Sequence, residues 1–398
     1  MLLTGNLGES RPYGFSVEPL IKQCIPNSHK SVEDSLVTIN SPTKINMMNT
    51  SQKLIALLSG AALLSVSSLA AQTATTAPVG YVTTSAADGV DAKFGISMEQ
   101  AAILSTSIDS VAGGVLTLPV DPSASTSGHY VQFTSGALLG QWFQVSSSDS
   151  TTITVAEDLV ALGAVASDSV KVVPFWTLSS LFAGNFPVST DPFSAVAQVL
   201  FNDVTAIGIN LAPNRNYAFH DGSSGFVSAG WFDVNNPFGG VQDDVLIAPN
   251  SFITIRNQSG AQYDITVAGT VPVDVLNIGV VANGSFANDN LVFNPYPAAI
   301  QLSTSALETV VAVSTDPFNP VDQVIVYGTP TGLNPAPSSN YAYHDGSSGF
   351  VSAGWFDVSN AFGGVQDTVT IPAGGAFLIR KGAGSSDGNW IATIPYSL

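Results

Sequence analysis

From Val79 onward apolar and polar residues alternate with a period of two, the spacing of a half-buried β-strand, and clusters of Gly, Ser and Asp interrupt the runs. The stretch 129–155, HYVQFTSGALLGQWFQVSSSDSTTITV, is typical: Tyr130, Gln132 and Thr134 oppose Val131 and Phe133. Only 97–104 (SMEQAAIL) and 178–182 invite a helical reading, and both are short. The pattern predicts an all-β protein.

The string HDGSSGFVSAGWFDV occurs at 220–234 and again at 344–358, inside a unit that repeats with a period of about 124 residues. The repeat reaches back to STDPF at 189–193 and 314–318. It runs forward through FGGVQD at 238–243 and 362–367 to the pairs Ile255-Arg256 and Ile379-Arg380. Segments 178–215 and 302–339, just before the block, have diverged widely. Packing alone can hold a block so dense in turns and aromatics, because positions with φ > 0 tolerate little besides Gly and a filled core resists volume changes. A surface site present in two copies, or recent local duplication, leaves the same trace.

These signals divide the chain into an N-terminal β domain at 72–177, a first repeat at 178–271, a connector at 272–300 and a second repeat at 301–398. Each repeat is expected to be a β-sandwich or small barrel. In the first, NYAFH (216–220) should pair with FVSAGWFDV (226–234) through a DGSSG turn in which Gly222 and Gly225 supply φ > 0. Gly230 within the second strand predicts a bulge or a close backbone approach.

Residues 47–70 read as a secretory signal peptide, with Lys53, an apolar stretch from Leu54 to Leu69, and cleavage after Ala70 or the neighbouring Ala71. Segment 1–46 reads as upstream of the true start. It contains Cys24, the only cysteine, so the exported protein is expected to hold no disulfide, thiolate or lipid-modified N-terminus. No second long apolar segment follows, so no transmembrane span is expected in the mature chain. The expected location is periplasmic, cell-surface or extracellular. Composition adds 11 Lys+Arg against 29 Asp+Glu and a net charge of −18, which argues against a nucleic-acid partner.

Several residues could carry chemistry. His220-Asp221 and His344-Asp345 could form metal or acid–base sites, although adjacent residues on a strand point to opposite faces and Asp at a turn usually bonds its own backbone. Ser223 and Ser224 lack the G-x-S-x-G spacing and the strand-to-helix turn of a hydrolase nucleophile. Tyr217, Phe219, Phe226, Trp231, Phe232 and Phe238 recur as Tyr341, Tyr343, Phe350, Trp355, Phe356 and Phe362. Most must fill a core, which leaves Trp231 and Trp355, on the face opposite Phe226 and Phe232, as candidate exposed ligand contacts. Loop aspartates keep calcium open as a cofactor, with no D-x-D-x-D-G loop to support it; otherwise no cofactor is expected. Arg256 and Arg380 are expected to form ion pairs with an aspartate of their own repeat.

PVGYV at 78–82, then DAKFGISM at 91–98 and the Asp-rich, Gly-Trp-containing units that end in an Ile-Arg strand, resembles an uncharacterised family of exported bacterial proteins. The resemblance implies export and β structure and carries no activity. The expected function is that of an exported, non-catalytic structural or interaction protein that meets an envelope or extracellular protein through two copies of one module. The alternative is a carbohydrate-binding or adhesion protein in which Trp231, Trp355, Asp221, Asp345, His220 and His344 meet a glycan, with calcium as an aid. A polysaccharide hydrolase would need a carboxylate pair that the sequence does not single out. Alternating strands also admit an outer-membrane barrel.

Overall fold

Strand follows strand through residues 77–397, the part of the chain described by the computed structural model, so the chain is all-β. The expected signal peptide at 47–70, segment 1–46 and Cys24 lie outside the described residues. Leu178–Phe182 is helical, with Thr177 and Ser180 closing a reciprocal capping box at its start. The other helical expectation fails: 97–104 is extended, and the Glu99 backbone exchanges two hydrogen bonds with Thr270 while Met98 is buried in a core. That tertiary pairing outweighs a weak local pattern.

The two repeats have one topology. In the first module, Val90–Phe94, Ile253–Asn257, Ala197–Asn202, Pro213–His220 and Gly230–Asp233 lie side by side and antiparallel. In the second, Asn288–Phe293, Ala376–Lys381, Gln323–Val326, Ser339–His344 and Gly354–Asp357 follow the same order. A two-stranded ribbon accompanies each sheet, Val79–Ala86 with Tyr263–Thr270 in one and Asn277–Val280 with Gly388–Ile391 in the other. Between sheet and ribbon, Val199, Tyr217, Trp231 and Ile255 share a core with Ile265 and Phe182 in the first module. Val324, Tyr341, Trp355 and Ile379 do so with Ile278 and Trp390 in the second. Each such buried side chain contributes roughly 1.5–3 kcal/mol.

This pairing moves the expected boundaries. Each module begins with two strands that the sequence assigned elsewhere: Val79–Ala86 and Val90–Phe94 to the N-terminal domain, Asn277–Val280 and Asn288–Phe293 to the connector. The rest of the expected N-terminal domain, from Leu104–Ser107 to Ser169–Pro174, forms its own seven-stranded sheet around Phe133, Val145, Ile153 and Val172. It is an insertion into the first module. Within it Tyr130 and Gln132 are as buried as Val131 and Phe133, because Tyr130 packs on Val173 and Phe175 behind the sheet. Lys171 fastens the insertion, its ammonium 2.7 Å from Glu99 and 2.9 Å from Asp274.

The modules exchange loops across a seam. Arg256 grips Asp91 through two hydrogen bonds of 2.9 and 2.8 Å, and Arg380 grips Asp289 through two of 2.6 and 2.9 Å. Both arginines are ion-paired as expected, but with aspartates from the stretches assigned to the N-terminal domain and the connector, not from repeats 178–271 and 301–398; Arg–carboxylate forks of this kind fix geometry as well as charge. To each aspartate the opposite module adds a loop. Asn334 N–H donates to Asp91 at 2.8 Å, and Asn210 N–H donates to Asp289 at 2.8 Å. Both asparagines are left-handed, with φ of 49° and 55°. Phe293 packs so closely on Gly95 that a Cβ there would lie 1.9 Å from its ring, so only glycine fits.

Candidate functional site

The retained block folds into the last hairpin of each sheet and the loops beyond it. The register Tyr217↔Asp233, Ala218↔Phe232, Phe219↔Trp231 and His220↔Gly230 is unbroken, so Gly230 marks a close approach and no bulge. At φ 131° its missing Cβ leaves room for Val241 and for the Asp243 carboxylate, which accepts the Trp231 N–H at 2.9 Å. Asp367 does the same for Trp355. The second strand starts at Gly230, not Phe226, so the connecting loop spans 221–229 and carries Phe226 away from the sheet.

That geometry corrects the proposed ligand residues. Trp231 and Trp355 are each 1% exposed and belong to the cores, because the register turns them toward the ribbon; they are not exposed platforms for a sugar. His220 and His344 are fully buried. His220 Nδ1 accepts the Gly222 N–H at 2.7 Å, which places the proton on Nε2, 3.2 Å from the Thr190 carbonyl. It is a staple between two loops; His344 Nδ1 accepts from Gly346 at 2.6 Å in the same way, but its Nε2 has no partner among the described residues. Asp221 and Asp345 are exposed and cap their own turns by accepting the N–H of Ser223 and Ser347 at 2.8 Å. The Ser223 hydroxyl and backbone bonds hold the Asp221 carboxyl below the usual carboxylate range, and Ser347 does so for Asp345. Among the described residues no three His, Cys, Asp or Glu side chains converge as metal ligands, so the loop aspartates offer calcium no cage of their own. No described helix is long and apolar enough to cross a membrane.

What the modules do expose is phenylalanine. Phe193, Phe226 and Phe238 are 65–66% exposed, and Phe318, Phe350 and Phe362 are 62–68% exposed. In each module the ring of the STDPF loop sits between the other two, with centroids 6.3 and 6.0 Å apart in the first and 6.1 and 5.6 Å in the second. Local turns fix all three tips. Asp191 accepts the Phe193 N–H at 2.9 Å, Ser224 accepts the Phe226 N–H at 3.2 Å, and Gly239 N–H closes the Phe238 turn on Asn236. His220 ties the first loop to the second. Beside the cluster a groove of about 150 Å³ is lined by Phe226, Phe238, Val241 and the edge of Trp231. The buried indole N–H of Trp231, like that of Trp355, has no acceptor among the described residues. Sequence reasoning placed Phe226 and Phe238 among aromatics that mostly fill a core and did not consider Phe193; the Asp-Pro-Phe turn was the signal that could have found it.

No family model, curated protein or solved structure matches the chain.

Proposed function

We propose that the chain is an exported, non-catalytic interaction protein that uses its two modules to hold one envelope or extracellular protein partner at two points. The observation that carries this reading is the duplicated cluster of three exposed phenylalanines on hydrogen-bonded loop tips. Burying such rings is worth roughly 1.5–3 kcal/mol each, and leaving them in water has no structural benefit inside the chain. Preset turns lower the ordering cost of binding. The partner surface is apolar at its centre and cationic at its rim, because each ring has an aspartate within five residues of it in the chain, Asp191, Asp221 and Asp233 in the first module and Asp316, Asp345 and Asp357 in the second.

Avidity tests the reading. Phe193, Phe226 and Phe238 are changed together to serine in the full chain, then the second triplet, then both, and retention on the surface of the source cells is measured. Removing one cluster is expected to weaken retention by about 10²-fold or more and removing both to abolish it. Unchanged retention with both clusters removed, from a protein that still melts cooperatively, overturns the proposal. Export is checked by N-terminal sequencing of the secreted protein, which should begin at Ala71 or Gln72.

A further inference from the structure

A second feature lies away from the loop tips, where the loop after Gln323–Val326 crosses onto the first module. Residues within 84–93, 326–341 and 369–376 line an open cleft of about 670 Å³, within the range of small-ligand sites. Its chemistry is uneven. Thr84, Ser85, Thr331 and Ser339 offer hydroxyls, while Tyr327 and Pro335 form an apolar wall. Lys93 supplies a cation.

Lys93 differs from most basic groups of the described chain. Arg256, Arg380, Lys171 and Lys381 are spent in ion pairs within 2.5–2.9 Å. The Lys93 ammonium has no ion pair or hydrogen bond among the described residues and stands 5.1 Å from the centre of the Tyr327 ring. Asp91, which also lines the cavity, has its carboxylate engaged by Arg256 and Asn334, so it leaves Lys93 free and does not occupy the place of an incoming anion. Burial holds the Lys93 pKa below the usual lysine value, and the charge of Asp91 offsets this only in part.

Across the seam the equivalent space is not equipped this way. Lys93 pairs with Thr254 as Leu291 pairs with Leu378, so the lysine has leucine as its counterpart. The matching cavity of about 300 Å³, lined by Phe201, Asp203 and Arg215, lacks a counterpart of Tyr327 and of the hydroxyl rim. The larger cavity is therefore not a by-product of the shared fold, and divergence has built it in one copy only.

We infer that this cavity binds an acidic sugar, a ring polyol with one carboxylate, in which Lys93 takes the carboxylate, the hydroxyl side chains take ring hydroxyls, and Tyr327 with Pro335 covers the C–H face. An ammonium–carboxylate bond gives the charge selection, and apolar cover beside several neutral hydroxyls suits a sugar ring better than a bare anion. The site does not rest on the loop-tip reading and involves none of its residues.

The test is calorimetric titration of the full chain with sodium D-glucuronate to about 10 mM, with acetate and D-glucose as controls, followed by amide shifts at Tyr327 and Ser339. Glucuronate is expected to bind while acetate and glucose each bind at least 10-fold more weakly. K93Q should reduce glucuronate binding at least 10-fold and K93R restore most of it, with melting temperatures confirming that both fold. The protein lacking both phenylalanine clusters should bind glucuronate normally, which separates this site from the loop tips. No glucuronate binding, equal binding of acetate, or full binding by K93Q would each overturn the inference.

Discussion

At the loop tips the two modules are interchangeable, whereas along the seam they share a framework and little else. Phe193, Phe226 and Phe238 meet Phe318, Phe350 and Phe362 residue for residue, in matching T-shaped or tilted contacts. At the seam the Asp–Arg forks and the left-handed asparagines recur, but Phe252 faces Ala376 in the alignment, and the buried pair Lys381–Asp322 stands where the first module has Asn257 bonded to the Ala86 carbonyl. Seam positions therefore tolerate exchange in this fold while the exposed rings do not change. Packing cannot explain retention of side chains two-thirds in water. Nor does copying of one contiguous stretch, since Phe193 and Phe318 sit in STDPF motifs flanked by diverged sequence on both sides. On the proposed function, the constraint on the tips comes from a partner, and that on the seam from packing within the chain.

If that contrast holds, seam substitutions should cost stability and tip substitutions should not. The largest effect is expected from Asp91→Ala, which strands the Arg256 guanidinium and the Asn334 N–H at once. Removing one partner of a buried pair costs about 3–5 kcal/mol, and the partial exposure of the arginine places this one near 3. Urea unfolding measures it, and a loss below about 0.5 kcal/mol would reduce the seam to a passive contact. Gly230→Ala comes next. It forces a Cβ to within 3.1 Å of Val241 and Asp243 at a φ that alanine avoids, for a cost of about 2 kcal/mol, and Gly354→Ala should match it.

Acid gives a smaller test of the same seam. Asp91 loses some stabilisation of its charge to burial, but the Arg256 bonds and the Asn334 N–H outweigh this and lower its pKa. A carboxyl depressed in the folded state contributes stability that is present above its unfolded value, about 3.9, and is lost as pH falls through the folded one. Stability should therefore drop below about pH 4, with a shallower slope in Asp91→Asn. Lys171 has the opposite sign. Burial lowers its pKa, Glu99 and Asp274 more than restore it, and the net rise gives stability that holds below the unfolded lysine value and fades in strong alkali.

The all-β class, the hairpin, the ion-paired arginines and the close approach at Gly230 were legible in the sequence because each follows from local pattern or charge scarcity. Module boundaries were not. The strands Val90–Phe94 and Asn288–Phe293 have diverged beyond recognition, and only their pairing with the Ile-Arg strands places them; a whole domain then intervenes in one copy. The site was misplaced by strand parity. Counting from Phe226 as a strand residue correctly put Trp231 and Phe232 on opposite faces but gave no means of telling which face meets the core. Alternation also cannot show that the strand begins only at Gly230, which leaves Phe226 on a loop.

The smallest stability change belongs to the tips, and it is the decisive one for the comparison. Phe226→Ser alters a ring whose backbone N–H is already held by Ser224 and whose neighbours Phe193 and Phe238 are themselves exposed, so it should change unfolding free energy by no more than about 0.5 kcal/mol. Phe350→Ser should behave the same way. In contrast, Phe232→Ser, six residues further along and 2% exposed beside His220, should cost about 3 kcal/mol or more as a buried aromatic is lost and a hydroxyl is left in its cavity. Differential scanning calorimetry of the three variants reads the contrast directly. Equal destabilisation by Phe226→Ser and Phe232→Ser would make the exposed rings structural after all and return the retained block to packing. A neutral Phe226→Ser that nonetheless loses cell-surface retention would assign those rings to a partner.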